Sequence, residues 1–263
     1  MKNKSILKTS YFYSIALVAA QLTSRISKKS FLNHDIIKEI KTKGYCIIPA
    51  FLSTKICDDL IMIFDELEHA AESLDNDRRI FSIQKSSPYH NRIFADSAFL
   101  KTIGEYYVGT PQVLTTTMAG KIYAKPEAYG SGGGWHRDSF LPQFKALCYL
   151  SDVSETNGPF EYITGSHKLF NKILFESRSK TREQANNPRY TQESINEYLE
   201  IMNVSSKTFV AKKGTVILCD TSGVHRGQPI VEGVRYAITN YYSSSRLFLN
   251  KNIKKNQLYY KNN

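Results

Sequence analysis

Apolar positions recur at helical spacing on both sides of a short β-rich run near the start of the chain. Residues 35–43 read as a helix, and Gly44 then opens the run Tyr45-Cys46-Ile47-Ile48-Pro49, which reads as a strand. Ser53 can cap a second helix in which Ile56, Leu60, Ile63, Phe64 and Leu67 share one face, while Asp58, Asp59, Asp65 and Glu66 face water. A helix striped in this way packs on a sheet. From Val113 onward the pattern changes to short apolar strands punctuated by glycine, at residues 118–124, 145–150, 160–163, 215–219 and 236–242. That spacing predicts a mainly β fold with flanking helices, arranged as a barrel or a double-sheet jelly roll. Residues 170–206 interrupt the series as a polar, charge-rich, helix-like insertion. Ser194-Ile195-Asn196-Glu197 fits a capping box there, ahead of a Tyr198, Leu199, Met202 stripe whose periodicity indicates helix packing rather than ligand contact.

Composition narrows the picture. A chain of 263 residues with 41% hydrophobic content suits one domain with a sizeable core, and 17 Tyr and 14 Phe favour pleated, half-buried surfaces. The expected organisation is a basic and apolar helical segment at 1–34, a single domain at 35–250, and a basic tail at 251–263. The net charge of +11 sits partly at the ends, in Lys2, Lys4 and Lys8 and again in Lys251, Lys254, Lys255 and Lys261. Solvated termini account for such runs, and so does attraction to an anionic partner: a phosphorylated or acidic-sugar substrate, an acyl carrier or a membrane surface. No zinc-finger or helix-turn-helix spacing is present, which argues against nucleic acid. Cys46, Cys57, Cys148 and Cys219 stand far apart with no C-x-x-C pair, as expected of core residues in a reducing compartment such as the cytoplasm. Residues 11–22 are apolar but short of the roughly 20 residues that cross a bilayer. They fit a helix packed on the domain or resting on a membrane, and Val18-Ala19-Ala20 also resembles a signal-peptide cleavage site.

The chemistry concentrates in Gly132-Gly133-Gly134-Trp135-His136-Arg137-Asp138-Ser139-Phe140. In an extended strand residues i and i+2 point the same way, so His136 and Asp138 can offer an imidazole nitrogen and a carboxylate to one ion while Arg137 points away. A pair alone is weak, and a third ligand is needed. His225 lies 89 positions after His136, directly after the 214–219 strand. Two histidines and a carboxylate on one face of a metal leave open positions, the facial triad of non-haem Fe(II) oxygenases. Ten positions past His225, Arg235 opens the strand Val234-Arg235-Tyr236-Ala237-Ile238-Thr239. Its planar guanidinium suits two-point binding of the distal carboxylate of 2-oxoglutarate, although a surface ion pair is the plainer use of such a residue.

At this point the chain resembles the phytanoyl-CoA dioxygenase-like branch of the Fe(II)/2-oxoglutarate oxygenases. The resemblance runs from about residue 43 to 242, through Gly44-Tyr45-Cys46-Ile47-Ile48-Pro49-Ala50-Phe51-Leu52-Ser53, Trp135-His136-Arg137-Asp138, Asn157-Gly158-Pro159-Phe160, Thr164-Gly165-Ser166-His167 and the segment from His225 to Arg235. It implies a double-stranded β-helix, a cupin-like jelly roll, with iron on His136, Asp138 and His225 and 2-oxoglutarate on Arg235. It further implies a reaction with O2 that converts 2-oxoglutarate to succinate and carbon dioxide and hydroxylates a small-molecule, lipid-linked or sugar substrate. Tyr123 stands where family members often place a polar contact to 2-oxoglutarate. Ala237 replaces a polar residue found in several subfamilies, which leaves half of the co-substrate grip unassigned. His167 reads as part of a structural Gly-Ser-His turn, and His34, His69 and His90 carry no pattern. Asp220 could compete with Asp138 but has no histidine two residues away. Two other readings stay open: a jelly-roll binding protein without turnover, and a cupin-type enzyme using another metal, which would leave Arg235 unexplained.

Overall fold

Residues 34–125, 133–181 and 187–244 are described by the computed structural model. The expected N-terminal helical segment, its membrane or signal reading and the basic tail lie outside the described residues. No helix among the described residues is long and apolar enough to cross a membrane.

Helix α1 (His34–Lys43) ends at Gly44, whose φ of 98° few other residues adopt, and β1 (Tyr45–Ile48) follows. Ser53 caps α2 (Thr54–Glu66) by accepting from the Ile56 amide at 3.3 Å. The short edge strand β2 (Glu72–Leu74) and its neighbour β3 (Asp77–Phe81) come next, then short helical turns between residues 83 and 95, and α3 (Ala98–Val108), which Gly109 ends at φ 78°. After β4 (Gln112–Tyr123), β5 (Phe144–Tyr149) and β6 (Phe160–Ile163), two helices, α4 (Leu169–Arg178) and α5 (Gln192–Met202), precede β7 (Ser206–Phe209). The chain then runs through β8 (Val216–Asp220), β9 (His225–Gly227) and β10 (Val234–Ser244).

Among the described residues, ten strands form two antiparallel sheets: a larger one in the order β1-β8-β5-β10-β4-β3-β2 and a smaller one in the order β7-β6-β9. Alternation along the strands sorts the apolar residues between two layers. Cys46, Ala146, Cys148, Val216, Leu218 and Ile238 turn to the helix layer and meet Ile40, Leu60, Phe64 and Ile103. Tyr45, Tyr149, Ile217 and Cys219 turn inward and meet Phe160, Tyr162 and Phe209 of the smaller sheet. This is the jelly-roll sandwich, and its interior holds the candidate site. A third cluster joins Trp135, Ile163 and Val224 to Phe175, Tyr190, Ile195 and Tyr198 from α4, α5 and the segment before α5.

The cap of α5 departs from expectation. Thr191, not Ser194, is the N-cap and accepts from the Ser194 amide at 3.1 Å. Glu197 turns away from the helix start and accepts from the Ser179 hydroxyl and the Lys180 and Thr181 amides, tying α5 to the end of α4. Strands β2, β3, β7 and β9 carry too much charge or are too short to show as apolar runs.

Candidate metal centre

The segment carrying His136 pairs with β9. His136 and His225 exchange backbone hydrogen bonds, each 2.9 Å, and the Asp138 amide donates to the Thr221 carbonyl at 2.9 Å. Two stretches nearly 90 positions apart are thereby laid side by side with His136, Asp138 and His225 on one face. Their ligand atoms all lie within 4.8 Å of one another, the only such group among the described residues. Asp138 Oδ1 is 3.6 Å from His136 Nε2, and Oδ2 is 3.6 Å from His225 Nε2. Each histidine places Nδ1 2.9 Å from the carbonyl two residues earlier, Gly134 for His136 and Gly223 for His225. With Nδ1–H donating to a carbonyl, the lone pair of each neutral ring sits on Nε2, facing the shared space.

The electrostatics favour that protonation state. Burial lowers the pKa of His136, against the pull of Asp138, and takes that of His225 down to about 3 with His136 adding to the effect. Burial alone would raise the Asp138 pKa, but Lys145 and the two histidines outweigh it and hold the carboxylate charged well below the usual range. Lys145 sits on the inner face of β5 with its Nζ 2.5 Å from Asp138 Oδ2 and 4.0 Å from the centre of the Tyr241 ring. Two neutral imidazoles and a charged carboxylate make a donor set suited to a divalent transition metal.

The surrounding structure fixes these ligands. Arg137 points away from them to Glu176 of α4 at 3.3 Å and lies over the Tyr190 ring at 5.1 Å, so the helical insertion braces the ligand strand from behind. Asp220 links the two ligand segments. Its Oδ1 accepts from the Gln143 and Ser222 amides at 3.0 and 2.9 Å, and its Oδ2 accepts from the Tyr107 hydroxyl at 2.5 Å. Lys172, buried on α4, donates to the Phe140 carbonyl at 2.8 Å and the Ser222 hydroxyl at 2.7 Å, bridging the same two segments. The Tyr162 hydroxyl donates to the Asp220 carbonyl at 2.7 Å, and a Cβ on Gly223 would stand 1.9 Å from that oxygen. Gly223 is therefore needed for the close approach that brings His225 into place.

Arg235 lies on the inner face of β10, opposite Ile122, with Nη1 donating to the Gly158 carbonyl. Burial lowers its pKa, and nearby Tyr149 and Asp77 counter that shift. Tyr123 does not join it. Tyr123 pairs with Val234, one position out of step, so its side chain leaves from the other face of the sheet, where its hydroxyl donates to the Asp75 carbonyl at 3.3 Å. Ala237 faces inward beside Tyr149 and offers no polar atom. His167 Nε2 is 3.1 Å from the Lys41 carbonyl, joining the turn after β6 to α1, and Asp220 stands behind the ligand segments rather than among the ligand atoms. Lys145, Asp77 and Arg79 were not anticipated as site residues. A lysine at the start of an apolar strand reads as a boundary, and a short strand with two adjacent arginines reads as a loop.

The jelly roll thus holds a partly buried histidine-carboxylate-histidine set in its interior, the arrangement of a metal-dependent enzyme. The chain matches the phytanoyl-CoA dioxygenase family over residues 40–232 and belongs to that family. It is an iron- and 2-oxoglutarate-dependent dioxygenase. No curated protein matches it. Among solved structures it is similar to the epimerase SnoN from nogalamycin biosynthesis, in complex with Fe3+, α-ketoglutarate and nogalamycin RO, at 16% identity and a TM-score of 0.61 over 80% of this chain and 83% of that one. It is also similar to HygX from Streptomyces hygroscopicus with nickel, 2-oxoglutarate and hygromycin B bound, at 20% identity and TM-score 0.58 over 81% and 88%. EctD from S. alaskensis with 2-oxoglutarate and 5-hydroxyectoine matches at 18% identity and TM-score 0.62 over 86% and 81%. At these identities the likeness is one of fold.

Proposed function

We propose that His136, Asp138 and His225 hold Fe(II), that Arg235 receives the distal carboxylate of 2-oxoglutarate, and that residues 35–250 act as one oxygenase domain hydroxylating a small-molecule, lipid-linked or sugar substrate. The observation that carries this reading is the cluster itself: two Nε2 atoms and a carboxylate within 4.8 Å, with both Nδ1 atoms committed to backbone carbonyls. Iron with 2-oxoglutarate and O2 supplies the oxidising chemistry, forming succinate and carbon dioxide and inserting oxygen into a C–H bond. The chain's own residues bind and orient. Arg235, on a rigid central strand, fixes one end of the co-substrate, and a guanidinium serves a carboxylate with two parallel bonds. The jelly-roll interior keeps water from the reacting groups.

Bound hygromycin B, nogalamycin RO and 5-hydroxyectoine in the similar structures support a small-molecule substrate. Four buried free cysteines and the need for 2-oxoglutarate support a cytoplasmic setting. Because Asp138 fills its position, no chloride requirement is expected, and hydroxylation is the default outcome over halogenation. Succinate formation in air with Fe(II) and 2-oxoglutarate, combined with a mass-spectrometric metabolite screen for gain of one oxygen atom, tests the reading. Succinate from the unaltered protein and none from His225→Ala is the expected result. Equal succinate from both would overturn the assignment.

A further inference from the structure

The helical insertion reaches the metal face through the residues that lead into α5. The segment carrying His136 has β9 on one side and residues 188–190 on the other. The Arg137 amide donates to the Pro188 carbonyl and the Tyr190 amide to the Trp135 carbonyl, both at 2.9 Å, with Arg189 directly opposite His136. Opposite residues of an antiparallel pair send their side chains to the same face, and a pair that exchanges no hydrogen bonds of its own brings them closest. His225, His136 and Arg189 therefore stand in one row on the face that holds the ligand atoms. The Arg189 side chain runs back over Gly134, with Nη1 3.1 Å from the Gly133 carbonyl and 3.9 Å from where a Cβ on Gly134 would stand. His136 Nδ1 meets the next carbonyl, that of Gly134. Guanidinium and imidazole thus end side by side on consecutive carbonyls.

Exposure rises along the same row. The His225 side chain is 6% exposed, that of His136 16%, and Arg189 stands exposed beyond it. The centre therefore opens on the Arg189 side, and a molecule entering there passes the guanidinium. Lys145 and Arg137, the cations next to the ligands in sequence or space, are buried and paired with Asp138 and Glu176. Arg189 differs from both in standing where a ligand can reach it. We propose that Arg189 binds the substrate, by receiving an anionic oxygen group that the substrate carries, a carboxylate or a phosphate, at the mouth of the site. The proposal rests on the oxygenase reading and names the class of molecule that site accepts. A guanidinium grips either group with two parallel charge-assisted bonds, stronger than its bond to the neutral Gly133 carbonyl. With the anion held there, the rest of the substrate is directed inward along the row, toward the metal.

Matched probes test this: phenylacetate and phenyl phosphate, each against the uncharged phenylacetamide, titrated anaerobically into full-length protein loaded with Fe(II) and 2-oxoglutarate. Binding is followed by calorimetry and by fluorescence of the sole tryptophan, Trp135, next to His136. At least one anion is expected to bind about tenfold or more tightly than the amide, the difference between charge-assisted and neutral hydrogen bonds. The tighter of the two tells a carboxylate site from a phosphate site. In Arg189→Gln the preference should vanish, and Arg189→Lys should recover part of it, with iron and 2-oxoglutarate affinities unchanged in both. Glutamine can still donate to the Gly133 carbonyl, so this variant removes the charge and keeps any bracing of the glycine turn. Failure of both anions to outbind the amide overturns the proposal, as does a preference that survives in Arg189→Gln. Weakened iron or 2-oxoglutarate binding in Arg189→Gln marks a bracing role and overturns it too. So does an anion effect that disappears as 2-oxoglutarate is raised, which marks displacement of the co-substrate. Failure of the unaltered protein to take up Fe(II) and 2-oxoglutarate would overturn the oxygenase reading itself.

Discussion

Replacing Asp220 separates a residue that builds the site from one that binds in it. Three donors converge on its carboxylate: the Gln143 and Ser222 amides at 3.0 and 2.9 Å and the Tyr107 hydroxyl at 2.5 Å. Asp220 is 1% exposed, so Asp220→Ala leaves these donors in the interior. At about 1–3 kcal/mol for each of the three stranded groups, the loss is about 3–9 kcal/mol, toward the lower end if water enters. Asp220→Asn is far milder. Its oxygen retains both amide bonds, the Tyr107 hydroxyl turns to accept from the new amide, and the cost is about 1 kcal/mol. Urea unfolding of the metal-free protein reads the stability, and equilibrium Fe(II) binding reads the site. Asp220→Ala should unfold at markedly lower urea and bind iron weakly, because residues 140–143 and 220–225 lose their common anchor. Asp220→Asn should keep iron. Asp138→Asn should do the reverse, remaining folded while losing iron. Undiminished stability in Asp220→Ala, or iron lost from Asp220→Asn but kept in Asp138→Asn, would refute this division of roles.

Other substitutions follow from the same geometry. Arg235→Lys replaces a forked contact with a single one, and 2-oxoglutarate binding should weaken by about 10- to 100-fold with iron affinity unchanged, read by calorimetry on the Fe(II) protein. Gly223→Ala forces a methyl into the Tyr162 hydroxyl and the Ser166 Oγ, and a loss of about 1–3 kcal/mol in urea unfolding with weakened iron binding is expected. His90 is fully buried, and burial lowers its pKa to about 4. The unfolded chain therefore takes up a proton below about pH 6.5 that the folded chain refuses, so stability falls from that pH toward 4 by up to about 3 kcal/mol. His90→Gln should flatten this part of the stability profile, and an unchanged profile would show that His90 does not titrate as its burial implies.

Much of the architecture is legible in the sequence, for identifiable reasons. The helical stripe from Ile56 to Leu67 matches one period because one face is buried, whereas β5 and β8, buried on both faces, show instead as short apolar runs. The i, i+2 placement of His136 and Asp138 needs only an extended backbone. The pairing of His136 with His225 needs the whole sheet, and only the chemical demand for a third ligand pointed to it. What sequence hides is register. Tyr123 and Arg235 stand one step out of phase across β4 and β10, and one step moves a side chain to the opposite face. Arg79 and Lys145 are concealed for a different reason: charge in a strand reads as exposure, whereas here Asp77 and Asp138 make it tolerable inside. At α5, two plausible caps three residues apart compete, and contacts of Glu197 with the end of α4 decide for Thr191.

Equilibrium binding of Fe(II) under anaerobic conditions to the unaltered protein and to His136→Ala, Asp138→Ala, His225→Ala and His167→Ala tests the central claim most directly. The account predicts a single iron per chain that is lost in the first three variants and kept in His167→Ala, because His167 bonds the Lys41 carbonyl and is not among the clustered ligand atoms. Iron retained by His225→Ala and lost from His167→Ala would contradict it.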